Sequence, residues 1–117
     1  MNVEELRLYC LQKKGSTESF PFDDETLVIK VMGKMFILIN LTGDLSINVK
    51  CEPEKAIALR EEYSFVKPGY HMDKKHWNTI EIDGRVSKSL IFSLIDDSYD
   101  LVVSKLTKTE KNKLTQL

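Results

Sequence analysis

The chain has 117 residues, 42% hydrophobic and 30% charged, with a formal net charge of −1 at pH 7. That length and composition fit one domain spanning 1–117, able to bury a core without disulfides or metals. A nearly neutral chain has no global field to draw it onto nucleic acid or an anionic membrane, so nucleic-acid binding would need a local basic patch.

"NVEELRLYCLQKK" predicts a first helix, with Asn2 and Glu5 at capping-box spacing. Val3, Leu6, Tyr9, Cys10 and Lys13 share one face, widened by Leu8 and Leu11. "GSTESFPFDD" breaks the pattern with Gly15, Ser16 and Pro21. "TLVIKVMGKMFILINLTGDLSINVKC" then alternates as a three-stranded meander. Gly33-Lys34 is expected as a two-residue II′ turn and Thr42-Gly43-Asp44 as the next turn. Alternation puts Leu27, Ile29 and Val31 on one face with Met35, Ile37, Ile39 and Leu41, and with Leu45, Ile47 and Val49. The other face mixes Val28, Lys30, Met32, Phe36, Leu38 and Asn40 with Ser46, Asn48 and Lys50.

"PEKAIALREEY" predicts a second helix with Pro53 in its first turn. "SFVKPGYHM" is extended, and "HWNTIEID" is a further strand closed by Asp83-Gly84. "SKSLIFSLIDDSYDLVVSKL" is the longest helix, capped by Ser87, with an apolar stripe of Leu90, Ile91, Leu94, Ile95, Leu101 and Val102. Thr107 and Glu110 mark the start of a short last helix. The order α-β3-α-β2-α reads as an α+β domain, a mainly antiparallel sheet with helices packed on one face.

"PGYHMDKKHWNTIEIDG" followed by "SLIDDSYDLV", with "PF" and "KVMGKMF" in the front half, resembles the MmcQ/YjbR family of small bacterial proteins. The resemblance covers nearly the whole chain. It implies a secretion-chaperone-like α+β fold and DNA binding through a "double wing" arrangement.

The densest chemistry lies between 67 and 78. Lys67, Lys74 and Lys75 outnumber Asp73 and stand beside His71, His76, Tyr70, Trp77 and Asn78. Lysines suit phosphates, and Trp77 and Asn78 suit stacking and hydrogen bonding to bases. A solvated loop would look the same. Trp77 shares a strand face with Thr79 and Glu81. It is either covered by a helix end beside Tyr99 or part of a recognition surface, the first being the more frequent arrangement.

His71 and His76 are five apart, which fits neither ligation from one helix face nor from one strand face, and no third Cys or His stands near. No metal and no cofactor are expected. Ser98, Tyr99, Cys10 and Cys51 are nucleophile candidates, but no nucleophile elbow, phosphate loop or HExxH accompanies them, so a non-enzymatic protein is expected. Cys10 and Cys51 read as reduced, buried thiols. The acidic start is unlike a signal peptide, and no apolar run is long enough to span a membrane. A cytoplasmic monomer or weak homodimer without membrane contact is the expectation.

The leading expectation is therefore DNA binding through 67–78. A protein- or peptide-binding surface around Val28, Met32, Phe36 and Leu38 is the alternative. A small-molecule pocket between 71–78 and Tyr99 is the third.

Overall fold

The computed structural model describes residues 1–70 and 72–117, so His71 lies outside the described residues. The chain runs α1 (Val3–Leu11), β1 (Ser16–Ser19), β2 (Thr26–Val31), β3 (Lys34–Asn40), β4 (Ser46–Lys50), α2 (Pro53–Glu62), β5 (Val66–Pro68), β6 (Trp77–Glu81), α3 (Lys88–Ser104) and α4 (Lys108–Thr115). The strands form one sheet in the order β1-β2-β3-β4-β6-β5, each neighbouring pair antiparallel. The expected α+β architecture is present, with helices on one face.

Helix boundaries follow local chemistry. Asn2 Oδ1 accepts from Glu5 N at 2.8 Å and Ser87 Oγ from Leu90 N at 3.1 Å, satisfying amides that an α-helix leaves free at its start. Thr107 and Glu110 form a full capping box. α3 lays Ile91, Leu94, Ile95 and Val102 onto a core built from Leu27, Ile29, Ile37, Ile39, Ile47 and Ile80. Leu6 and Cys10 of α1, Ala56 and Leu59 of α2 and Leu114 of α4 close the same core. Leu8 is 50% exposed, so the buried stripe of α1 is narrower than its sequence suggested.

Three local features differ from the sequence reading. Val31 pairs with Lys34, so the hairpin turn is Met32-Gly33, one residue earlier than expected. Both residues have positive φ, 50° and 78°, which makes the turn type I′. The non-glycine Met32 tolerates this because the twist of an I′ turn matches that of the flanking strands.

The second difference is a β-bulge. Ile29 pairs with Ile37, yet Lys30 pairs with Met35, leaving Phe36 as the extra residue of β3. Phe36 and Ile37 therefore both enter the helix-side core, and Met35 turns to the opposite face. Strict alternation had assigned Met35 and Phe36 the other way round; a bulge reverses the parity of every residue beyond it.

The third is β1, which falls where "GSTESFPFDD" was read as a break. Its four polar residues carry little strand propensity of their own, and pairing along β2 from Ser16–Val31 to Ser19–Val28 gives it its conformation. Being short and polar, it also protects the sheet edge from further pairing.

Candidate functional site

The turn leading into β6 is pinned by one aspartate. Asp73 accepts from Lys75 N at 2.9 Å through Oδ1 and meets His76 Nδ1 at 2.7 Å through Oδ2. The His76 contact, and then the Lys75 amide, hold the Asp73 carboxyl below its ordinary value. Gly69 N donates to Trp77 O at 2.9 Å, and a Cβ on Gly69 would stand 2.8 Å from Trp77 Cβ. Only glycine allows the loop to lie this close to the tryptophan.

The charged ends of the motif are partly spent on this loop. Lys74 Nζ donates to Gly69 O at 3.0 Å, while Arg60 donates to Lys74 O at 2.9 Å. Lys75 is exposed beside Asp73. Lys67 sits on edge strand β5 opposite Thr79. Asn78 points to the helix side, is 1% exposed, and donates to Ala56 O at 3.2 Å. It cannot meet a surface ligand as the sequence reading required. His71 lies outside the described residues.

Trp77 is 8% exposed and packs with Val28 and Leu38, flanked by Met35 and Met72. This cluster lies on the face opposite α3, because Asn78 and Ile80 take the helix side of the same strand. Tyr99 is across the sheet, edge-on to Phe36 at 5.3 Å with its hydroxyl donating to Lys14 O at 2.6 Å. Trp77 therefore does not pack beside Tyr99, and the pocket expected between 71–78 and Tyr99 is not assembled. Phe36, expected on the peptide-binding face, is in the core.

A basic row appears where no single segment showed it. Lys30 pairs with Met35 and Lys50 with Trp77. Across β2, β3, β4 and β6 the open face thus reads Lys30, Met35, Lys50, Trp77. Lys34 at the start of β3 and Lys105 at the end of α3 join these four around a concavity of ≈ 500 Å³. No acidic residue lines it. Lys30, Lys50 and Lys105 have no ion-pair partner among the described residues, and Lys34 acts on Glu110 only through charge. Alternation had already placed Lys30 and Lys50 on this face. Pairing across strands, which sequence spacing does not carry, brings them together.

Ser98 holds the row from behind. Its buried hydroxyl accepts from Lys50 N at 2.8 Å and donates to Phe36 O at 2.5 Å. It satisfies two backbone groups just beyond the Ile37–Val49 pair, where the β3–β4 ladder ends. This serine, a nucleophile candidate by sequence, is bonded into the sheet. Burial pushes the Cys10 thiol up to about 12, leaving it protonated at neutral pH. Among the described residues no three His, Cys, Asp or Glu side chains gather as metal ligands, and no helix is long and apolar enough to cross a membrane.

Fold and surface together define a small α+β domain whose antiparallel sheet packs helices on one face and leaves the other uncovered by them. The YjbR family signature matches residues 11–101, and the chain belongs to the YjbR family. It is 34% identical over 118 residues to Uncharacterized protein YjbR of Escherichia coli (strain K12), covering 100% of both chains. It is 40% identical over 96 residues to Uncharacterized protein YbdF of Escherichia coli O157:H7, covering 81% of this chain and 79% of that one. The crystal structure of Deinococcus radiodurans protein DR2400, assigned to DUF419, superposes with a TM-score of 0.92 at 41% identity, over 97% of this chain and 88% of that one. A Pseudomonas syringae protein matches with a TM-score of 0.75 at 27% identity, over 86% and 98%.

Proposed function

We propose that the protein is a non-catalytic nucleic-acid-binding module that grips phosphates with Lys30, Lys34, Lys50 and Lys105. The observation that carries this reading is the concavity these four lysines surround, with no carboxylate in its lining. Lys30 and Lys50 flank β3, two strand spacings or roughly 10 Å apart, so they address separate phosphates of one backbone. Met35 supplies an apolar floor between them, and Trp77 flanks Lys50 on its other side. With 8% exposure, Trp77 has no open ring face on which a base could stack. Affinity then rests on charge, and specificity for base sequence has no residue to carry it.

Titration of a labelled single-stranded oligonucleotide by fluorescence anisotropy across salt concentrations tests this reading. Four phosphate contacts give a log-log salt slope of about −3 on single strands and about −3.6 on duplex. Lys30→Gln with Lys50→Gln should flatten it by about 1.4 units on single strands and about 1.8 on duplex, whereas Lys74→Gln with Lys75→Gln should leave it nearly unchanged. The reverse ranking would return the site to the 67–78 segment. No binding to either form at tens of micromolar protein in low salt would remove the reading.

A further inference from the structure

The other end of the same sheet face forms a larger groove of ≈ 1030 Å³ with the opposite character. Its floor includes Leu38, Asn48 and Thr79, and Phe22 and Tyr70 contribute to its lining. These two rings are 64% and 71% exposed, unusual for aromatic side chains of a small domain. Five carboxylates line the groove, those of Asp23, Glu25, Asp44, Glu81 and Asp83, against the single ammonium of Lys67.

The carboxylates are not equally available. Asp23 accepts from the amides of Glu25 and Thr26 at 2.9 and 2.8 Å, fixing the entry to β2. Glu81 and Asp83 share Arg85. The side chains of Glu25 and Asp44 have no partner among the described residues. The acids are not gathered for one metal ion. They are spread around a mixed floor of Leu38, Asn48 and Thr79, an arrangement that suits several cations carried on one chain. A nucleic-acid backbone would be repelled here. Exposed aromatic rings can take an arginine face or an aliphatic side chain.

We propose that this groove docks a basic, partly apolar peptide segment of a partner protein, with Glu25 and Asp44 pairing its arginines or lysines. The segment lies over Leu38 and Asn48 between Phe22 and Tyr70. The short β5, ending at Pro68, is a poor edge for strand addition, so side chains carry the recognition.

The test is an amide chemical-shift titration with an alternating Arg-Leu octapeptide and its Glu-Leu counterpart. The Arg-Leu peptide is expected to shift Leu38, Asn48 and Thr79, and the Glu-Leu peptide to shift none of them. Glu25→Gln with Asp44→Asn, both exposed positions, should weaken the Arg-Leu peptide about three- to tenfold, the scale of two exposed ion pairs. Lys30→Gln with Lys50→Gln should leave that affinity unchanged or tighter, separating this site from the basic end. Absence of groove shifts at millimolar peptide would overturn the proposal. Equal affinity of the Glu25→Gln/Asp44→Asn protein, or equal response to both peptides, would do the same.

Discussion

At the hairpin end of the open face, four lysines surround Met35 and Trp77 with no acid among them. At the opposite end, five carboxylates and one lysine surround Leu38 and Asn48. Both ends use the same strands, and each sign is assembled from residues distant in sequence. Between them lies an apolar divide of Val28, Leu38, Trp77 and Met72. A strand of five or six residues spans about 17–20 Å, roughly twice the Debye length of about 8 Å at physiological salt. The fields of the two ends are therefore almost independent of each other, although their charges nearly cancel. A net charge of −1 excludes a global field and says nothing against a strong local one.

The divide is the feature whose loss changes most. Trp77→Ala removes the largest ring of a cluster in which Val28 is fully buried. It should destabilise the protein by about 3–5 kcal/mol, read from a denaturant midpoint. Its phosphate binding, measured where the variant is still folded, should keep the salt slope of the parent, because the ring releases no counterions. A loss below about 1 kcal/mol would mean that the tryptophan is a surface residue and the two ends form one continuous surface.

Ser98 offers a smaller and sharper cut, since it supports the basic end alone. Ser98→Ala leaves Phe36 O and Lys50 N without their shared partner, at a cost of about 1–3 kcal/mol. It should also loosen Lys50 and weaken oligonucleotide binding, while affinity for an Arg-Leu peptide stays constant. Equal losses at both ends would point to general unfolding of the sheet.

The asymmetry between the ends also shows what the sequence could reveal. Alternation in β2 and β4 placed Ile29, Ile47 and Val49 in the core and Lys30 and Lys50 outside it. The periodicity of α3 and its Ser87 cap were equally legible. Hidden were the features that depend on another strand. The bulge at Phe36 exchanges the faces of Met35 and Phe36, and only pairing with Lys30 reveals it. β1 takes its conformation from β2. The motif 67–78 drew attention because its charges are contiguous. The structure spends Lys74, Asp73 and His76 on closing a loop and turns Asn78 inward. Contiguous residues in a tight loop often serve the loop itself, and a row across a sheet gathers residues from 30 to 77.

The smallest effect concerns that loop, which sets Met72 and Trp77 between the two ends. Asp73 has a depressed folded value because the His76 contact, and then the Lys75 amide, favour the carboxylate. A carboxyl depressed on folding stabilises the loop fully above its unfolded value of about 3.9, and the contribution disappears as pH falls through the lower folded value. Near neutral pH the loop therefore has its full stabilisation from Asp73 and does not vary with pH through this group; it should loosen only below about pH 4. Asp73 is exposed, so solvent screens the gain and the change in global stability is small. Trp77 fluorescence reports it, since opening the loop withdraws Met72 from the cluster that covers the tryptophan. The wild type should show an acid transition that Asp73→Asn lacks, while the peptide groove, lined by Met72, keeps its neutral-pH affinity in both proteins. An Asp73-dependent transition centred above the unfolded value would reverse the sign. It would mean that the folded loop favours the protonated acid, and that the divide between the two ends is held by some other contact.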